Sequence, residues 1–358
     1  MTDAASTKIA FLIQGHSAPS TRVRILNLLP YFHAAGFATV VEVYPNSLGG
    51  WWRVAPKLRG AEILMIQKRL PSLLEALILR WRFKRMVFDF DDSVWLRNRE
   101  GDAKPSNKLQ RRFAHFMKRV DLAICGNPIL EKRVRATCAA TRTMVIPSSV
   151  PAPDADAGKG KSRGEGGTET SCDEDVAATD LPLRVGWVGT AINLPYLVAI
   201  ERALIEARTR VPFELVVICN APPKFGKFAH LRFVEWSEQT EYAEIAGFDV
   251  GIMPLADNEH SRGKCAYKAL QYMRCGVPVI ASDVGINREW IAGNGAGIVV
   301  NESGWRDALV SVLSDAAVRE QMGACGVAAI RGGFRIEDVA RQYVEAFKNL
   351  LGEPTTRS

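Results

Sequence analysis

Several signals are missing from this chain, and each absence narrows its class. No apolar run approaches the roughly 18 residues that a membrane span needs. The N-terminal stretch MTDAASTKIAFLIQGH carries an acid, a short apolar run and no cleavage pattern, so no export signal is read there. The seven cysteines in 358 residues are scattered and odd in number. None forms CxxC, which argues against a disulfide framework or a zinc site. A reducing cytoplasm is the expected compartment. No recognised nucleic-acid-binding module is present, so nucleic acid is not expected as a partner.

What remains is an ordinary globular composition, 47% hydrophobic and 24% charged. The length favours two or more domains. The net charge of +7 and pI near 9.1 point to anionic partners, such as phosphorylated ligands or an acidic membrane surface. Residues 151–182 read PAPDADAGKGKSRGEGGTETSCDEDVAATDLP and hold no large apolar residue before Leu181. Such a segment buries too little surface to offset its ordering entropy. It reads as a flexible linker between residues 1–150 and 183–335.

On both sides of that linker strands alternate with helices. KIAFLIQ, TVVEVY, EILMIQ, MVFDF, DLAIC and TMVIP are the strands of the first half. A helix is expected from near Arg22 to Gly36, capped by Ser20 or Thr21. LRVGWVG, FELVVIC, RFVEW, DVGIMPL, VPVIAS and GAGIVV are the strands of the second half. A long amphipathic helix closes the chain from about Ile336, and the terminal segment 336–358 is expected to pack back on the first domain. This alternation predicts an α/β fold: two Rossmann-like domains with parallel sheets flanked by helices, facing each other across a cleft. Ligands then bind beyond the carboxyl ends of the strands, in the loops Gly15–Arg24, Gly189–Asn193, Leu255–Lys268 and Asp283–Glu289.

One stretch, GKCAYKALQYMRCGVPVIAS over residues 263–282, concentrates the chemistry. At helical spacing Lys264, Lys268 and Gln271 share one face, and Ala266, Leu270 and Met273 form the buried stripe. Gly276 suits a left-handed C-terminal cap. Two lysines on a helix face are ordinarily solvated. Here they face a predicted cleft.

The run FDVGIMPLADNEHSRGKCAYKALQYMRCGVPVIASDVGINREWIAGNGAGIVV, residues 248–300, resembles the group 1 (GT4-type) glycosyltransferases, which have the GT-B fold. STRVRILNLLPYFHAAGF, MVFDFDDSVW and DLAICGNPILEKR resemble the family's first-domain elements. The likeness implies a nucleoside-diphosphate-sugar donor held mainly by the second domain, a saccharide or lipid-linked acceptor held mainly by the first, and transfer with retention, as in cell-surface polysaccharide or glycolipid synthesis. It requires no cofactor, and a divalent metal is not expected. It places Lys268 at the lysine often found in this helix and Gln271 where many members have a nucleotide-contacting Glu. It likewise matches Glu289 after the Gly285 loop, Gly15 after the first strand, and Gly189 with Thr190 after the first strand of the second domain. Gly263 stands where many members have a Glu. A non-catalytic binder of nucleotide sugars or glycans and a nucleotide-sugar epimerase are the alternative readings.

A leaving diphosphate gains charge as the sugar bond breaks, so cations and helix N-terminal amides aimed at it stabilise the transition state. Lys268, Lys264 and Arg262 are the catalytic candidates on this ground. Glu289, Asn287 and the Gly285 loop would hold sugar or ribose. Arg22 and Arg24 read equally as anion contacts or solvated first-turn residues. Asp89, Asp91 and Asp92, in FDFDD, fit a D-x-D metal pattern or, more simply, local capping and bonding. His16, at the cleft edge, and His115, on a helix, could contact substrate or act in proton transfer, though lone histidines are more often structural. Trp51-Trp52-Arg53 and LILRWRFKR, residues 77–85, mix aromatics with cations and suit either an anionic membrane surface or ordinary packing with snorkelling cations.

Overall fold

The computed structural model describes residues 7–99, 102–155, 157 and 182–352. Most of the expected linker therefore lies outside the described residues. The first sheet contains β1 (Thr7–Ile13), β2 (Phe37–Val43), β3 (Ile63–Gln67) and β4 (Arg85–Phe90). After a small antiparallel hairpin, β5 (Leu96–Arg99) and β6 (Asp102–Pro105), it adds β7 (Leu122–Cys125) and β8 (Thr143–Val145). Its order is β2-β1-β3-β4-β7-β8, with every pairing parallel. The second sheet contains β9 (Leu183–Gly189), β10 (Phe213–Cys219), β11 (Leu231–Glu235), β12 (Val250–Met253), β13 (Val279–Ser282) and β14 (Gly297–Val300). Its order is β11-β10-β9-β12-β13-β14, again parallel throughout. The strand order reverses between β1 and β3 in one sheet and between β9 and β12 in the other. Beyond the carboxyl ends at those two points, open sheets of this kind form their crevices.

Both faces of each sheet are covered, as parallel sheets require. Along β1, Ile9, Phe11 and Ile13 join a core with Phe32 and Phe347, while Ala10 and Leu12 face a second one with Phe88 and Phe116. That second core continues across the domain boundary, through Leu130, Cys265 and Ala266, to Leu270, Tyr272 and Met273. A third core, built on Trp187 and Trp305, covers the outer face of the second sheet. The terminal helix Ile336–Gly352 lies on the first domain. Its Tyr343, Phe347 and Leu350 are buried in the Phe11 core, and the Arg85 guanidinium donates to the carbonyls of Leu350 and Leu351 at 2.6 and 2.9 Å.

Several elements differ from the sequence expectation. The first helix starts at Pro19, ahead of Ser20 and Thr21, and ends at Arg24. A second helix, Leu29–Ala34, follows a 3₁₀ turn; Pro30, which lacks an N–H, stops the two from running together. Thr21 is no cap: its buried hydroxyl donates to Gln67 Oε1 at 2.7 Å. The stretch NLPYLVAIERALIEAR, whose apolar spacing predicts one helix, forms two, Leu194–Val198 and Glu201–Arg208. The helix Ala316–Ala329 was not foreseen. It buries Gly323 and Gly326 against the backbones of Gly276 and Met273, so it lacks the large apolar stripe that sequence reading relies on.

Candidate active site

The lysine-bearing segment is shaped by what it touches in the first domain. Asn127 Nδ2 donates to the carbonyls of Gly263 and Lys264 at 3.0 and 3.1 Å. The Cys265 thiol donates to the Asp91 carbonyl at 3.3 Å. Ser93 and Trp95 bind Glu259, the indole N–H reaching Oε1 at 2.7 Å. The chain then passes through Ala266 in the left-handed region, with φ 48°, and the helix begins only at Tyr267, running to Arg274. Lys264 therefore precedes the helix and does not share a face with Lys268 and Gln271. Gln271 also departs from expectation. It is 3% exposed, and its amide makes no hydrogen bond among the described residues.

Lys268 lies in the first turn, half-buried, with its Nζ 5.2 Å from the centre of the Trp187 ring. Gly189, which ends β9, makes that placement feasible. A Cβ there would come within 2.8 Å of Lys268 Cε and 2.6 Å of the Trp187 ring. Burial, then the neighbouring Lys264, pull the Lys268 amine down to about 7. Among the described residues, no carboxylate lies within ion-pair distance of Lys264 or Lys268. The helix starting at Tyr267 has no side-chain cap, so its first N–H groups and its positive dipole end are left for an anion.

The first domain contributes a matched group. Lys68, directly after β3, has φ 53° and binds Asp91 Oδ1 at 3.0 Å and Asp92 Oδ2 at 2.6 Å. A non-glycine residue is uncommon in this region, and here the two carboxylates hold the Lys68 side chain in place. Burial opposes ionisation of Asp92, but Lys68 and then Lys264 outweigh it and hold the carboxyl at about 2. His260, buried beside this group, is held below the ordinary histidine value by burial and by Lys264. Neither Lys68 nor His260 was selected from sequence. Lys68 could have been found by applying the strand-end rule to β3, and His260 lies within the Leu255–Lys268 loop already singled out.

Other candidates take different places. Arg24 and Asp89 form a fully buried pair, with contacts of 2.6 to 3.2 Å. Tyr343 donates to Asp89 at 2.6 Å, so neither the arginine nor that aspartate faces the cleft, and a metal on Asp89 is not supported. Arg22 crosses to the second domain, pairing with Glu238 and Glu241 at 3.1 and 3.2 Å and lying over Trp236. Arg262 is exposed and paired to Asp257 at 2.6 Å, at the end of the short helix Glu259–Arg262. It sits outside the cation group. Asn287 is buried and donates to the Ser282 carbonyl, which fixes the loop. Gly285 has φ 63° and lies against the Arg262 backbone, a contact that a side chain would prevent. Glu289 is exposed and lines, with Pro128, Lys132 and Ile286, an interdomain cavity of about 630 Å³. Gly15 and His16 form an open loop beyond β1, and Thr190 is an exposed loop residue bonded to Asn193. His115 lies on the helix Asn107–Met117, at the Leu73 backbone and away from the cleft; burial and Arg119 lower its pKa. No group of three or more His, Cys, Asp or Glu suited to a metal occurs among the described residues.

Residues 183–315 match the model of the glycosyl transferases group 1 family. The match covers most of the second domain and none of the first. No curated protein sequence matches it. Solved structures share the architecture. Sucrose-phosphate synthase from Thermosynechococcus elongatus aligns with a TM-score of 0.72 at 16% identity, over 96% of this chain and 99% of that one. Anabaena HepE in complex with UDP-glucose aligns with a TM-score of 0.67 at 13% identity, over 96% and 99%. A Rickettsia africae glycosyltransferase aligns with a TM-score of 0.67 at 11% identity, over 97% and 99%. At these identities the likeness is one of fold: two Rossmann-like domains in the GT-B arrangement.

Proposed function

We propose that this group 1 glycosyltransferase-fold protein moves a sugar from a nucleoside-diphosphate donor to a saccharide or lipid-linked acceptor with retention of configuration, in the manner of GT4-type enzymes. Synthesis of cell-surface polysaccharide or glycolipid is the setting that fits. One observation carries the reading. Lys264 and Lys268 stand unneutralised at the uncapped start of the Tyr267–Arg274 helix, on the cleft side of Gly189. Burial and the neighbouring Lys264 make the charge on Lys268 costly to hold, and a diphosphate would relieve that cost. Gln271, one turn along the same helix, is buried and is not assigned a donor contact. As the glycosidic bond breaks, Lys268 and Lys264 stabilise the charge growing on the diphosphate. Lys68 and Asp92 bring the first domain's charge to the same place. No residue is assigned as nucleophile.

A specific observation favours a second reading, binding without turnover. Gly263 packs against Ser93 of the first domain, where a Cβ would lie 2.3 Å from the serine Oγ and force that side chain to turn away. The carboxylate that the family resemblance leads one to look for at this position is absent, and the close contact leaves the glycine well matched to Ser93.

A thermal-shift panel of UDP, GDP, ADP, CMP and dTDP tests the donor site; HepE, a fold neighbour, has been solved with UDP, so UDP comes first. A ligand at about 100 times its Kd adds about 2.7 kcal/mol, a rise of several degrees. One responding nucleotide supports the donor site, and silence from all five overturns it. Turnover with the matching sugar nucleotide and an acceptor panel then separates transfer from binding, and product formed without acceptor marks an epimerase.

A further inference from the structure

The exposed apolar surface of this protein is concentrated in one place. Leu48, Trp52, Leu74, Ile78 and Trp81 are 82%, 82%, 66%, 53% and 83% exposed, and every other exposed large hydrophobic side chain among the described residues is below these values. All five lie on two helices of the first domain, Leu48–Val54 and Leu73–Arg82. The helices are tied together where the Trp51 indole N–H donates to Glu75 at 3.3 Å. Their inner faces are already in the core through Val54, Ala76 and Leu79. The longer helix is therefore apolar on two sides. Leu74, Leu77, Ile78 and Trp81 recur at spacings of three and four, forming a second stripe that faces outward. A helix apolar all round is ordinarily buried, so this stripe lacks a partner in the isolated chain.

The surrounding charge selects the partner. Arg53, Arg82 and Lys84 are exposed at the edge of the stripe. The adjoining helix Asn107–Met117 adds exposed Lys108 and Arg111 and has no acid. On the stripe helix the only acid is Glu75, already engaged by Ser72 and Trp51. We propose that this face docks on an anionic lipid bilayer, with Trp52 and Trp81 seated at the headgroup level and the cations on lipid phosphates. Tryptophan prefers that boundary because its ring is apolar and its N–H is polar. Cations beside an apolar stripe add attraction to anionic headgroups. A protein partner or a second copy would need no such one-signed border.

The position matters for access. Both helices start from the carboxyl ends of their strands, β2 and β3, the end at which the cleft opens. The loops there are linked by Arg69 donating to Asn46 at 2.7 Å. A docked molecule therefore holds its cleft mouth close to the lipid surface. The docking does not depend on the proposed transfer reaction. Only its use, to meet a lipid-linked acceptor, rests on that reading.

Flotation of the full chain with phosphatidylcholine vesicles, with and without phosphatidylglycerol, tests the proposal. The chain floats with anionic vesicles only, and salt weakens the association. The double variant Trp52→Ser/Trp81→Ser loses about tenfold or more in partitioning. Arg82→Gln and Lys84→Gln each lose about fivefold. Because these side chains are exposed, the variants keep the parent's thermal midpoint and nucleotide response, which separates lost docking from lost folding or a failed donor site. Equal flotation with neutral vesicles, no flotation, or unchanged flotation of the tryptophan variant overturns the proposal. So does self-association that Trp81→Ser abolishes in a chain that does not float.

Discussion

Two charged groups lie on the first sheet's carboxyl side, and they are built in opposite ways. In the first, Arg24, Asp89 and Tyr343 are buried to 1% exposure or less. The arginine is matched by one carboxylate, the Ile146 carbonyl and the tyrosine hydroxyl. In the second, at the cleft, Lys68 is matched by Asp91 and Asp92, but Lys264 and Lys268 have no carboxylate of their own. The closed group joins the first helix, β4 and the terminal helix. The open group carries surplus positive charge between two domains. A satisfied charge cluster reads as scaffold, and an unsatisfied one as the place where a ligand completes the set.

Mutation separates the two groups. Asp89→Ala leaves a buried, unpaired guanidinium and lowers unfolding free energy by about 3–5 kcal/mol, seen in denaturant titration. Should that variant fail to fold, Tyr343→Phe gives a graded loss of about 1–2 kcal/mol. Lys268→Ala does the reverse, keeping or raising stability while lowering kcat tenfold or more, about 1.4 kcal/mol. An unchanged kcat in the folded variant removes Lys268 from catalysis and erases the contrast.

pH sharpens the comparison. The Lys268 amine sits at about 7 in the fold against 10.5 when unperturbed. Between those values the unfolded chain binds more protons, so this group makes stability rise with pH across that window and leaves it flat below about 7. Lys268→Met flattens the rise, and a titration that keeps the full slope refutes the burial. A bound diphosphate restores the ammonium, so nucleotide affinity falls as pH climbs above about 7, with proton uptake on binding measurable by calorimetry in two buffers. The smallest effect is expected at the domain boundary. Arg22→Ala removes an ion pair to exposed Glu238, a second to buried Glu241, which keeps its bond from the Trp236 indole, and a ring contact. It lowers unfolding free energy by about 1 kcal/mol, read by denaturant titration.

The two-domain α/β plan was legible because fully buried strands such as ILMIQ and LVVIC are short, continuous apolar runs, and glycines punctuate them. The Lys268 region was legible because helix, glycine and strand follow one another within 20 residues of sequence. Lys264 was misplaced on the helix because helical spacing is blind to Asn127, 136 residues away, which pins the Gly263 carbonyl and delays the helix to Tyr267. The Arg24–Asp89 pair was not legible for a related reason. Each resembles an exposed charge in sequence, and only their pairing, 65 residues apart, makes them core.

Local pattern alone determined the strands, the Gly276 cap and the apolar-basic helices, since each depends on neighbours within a few turns. Tertiary structure decided which charges are neutralised, where the lysine-bearing helix begins and how far Lys268 is desolvated. Those outcomes depend on partners brought in from distant strands and from the other domain, and burial makes each such contact count far more than it would in water.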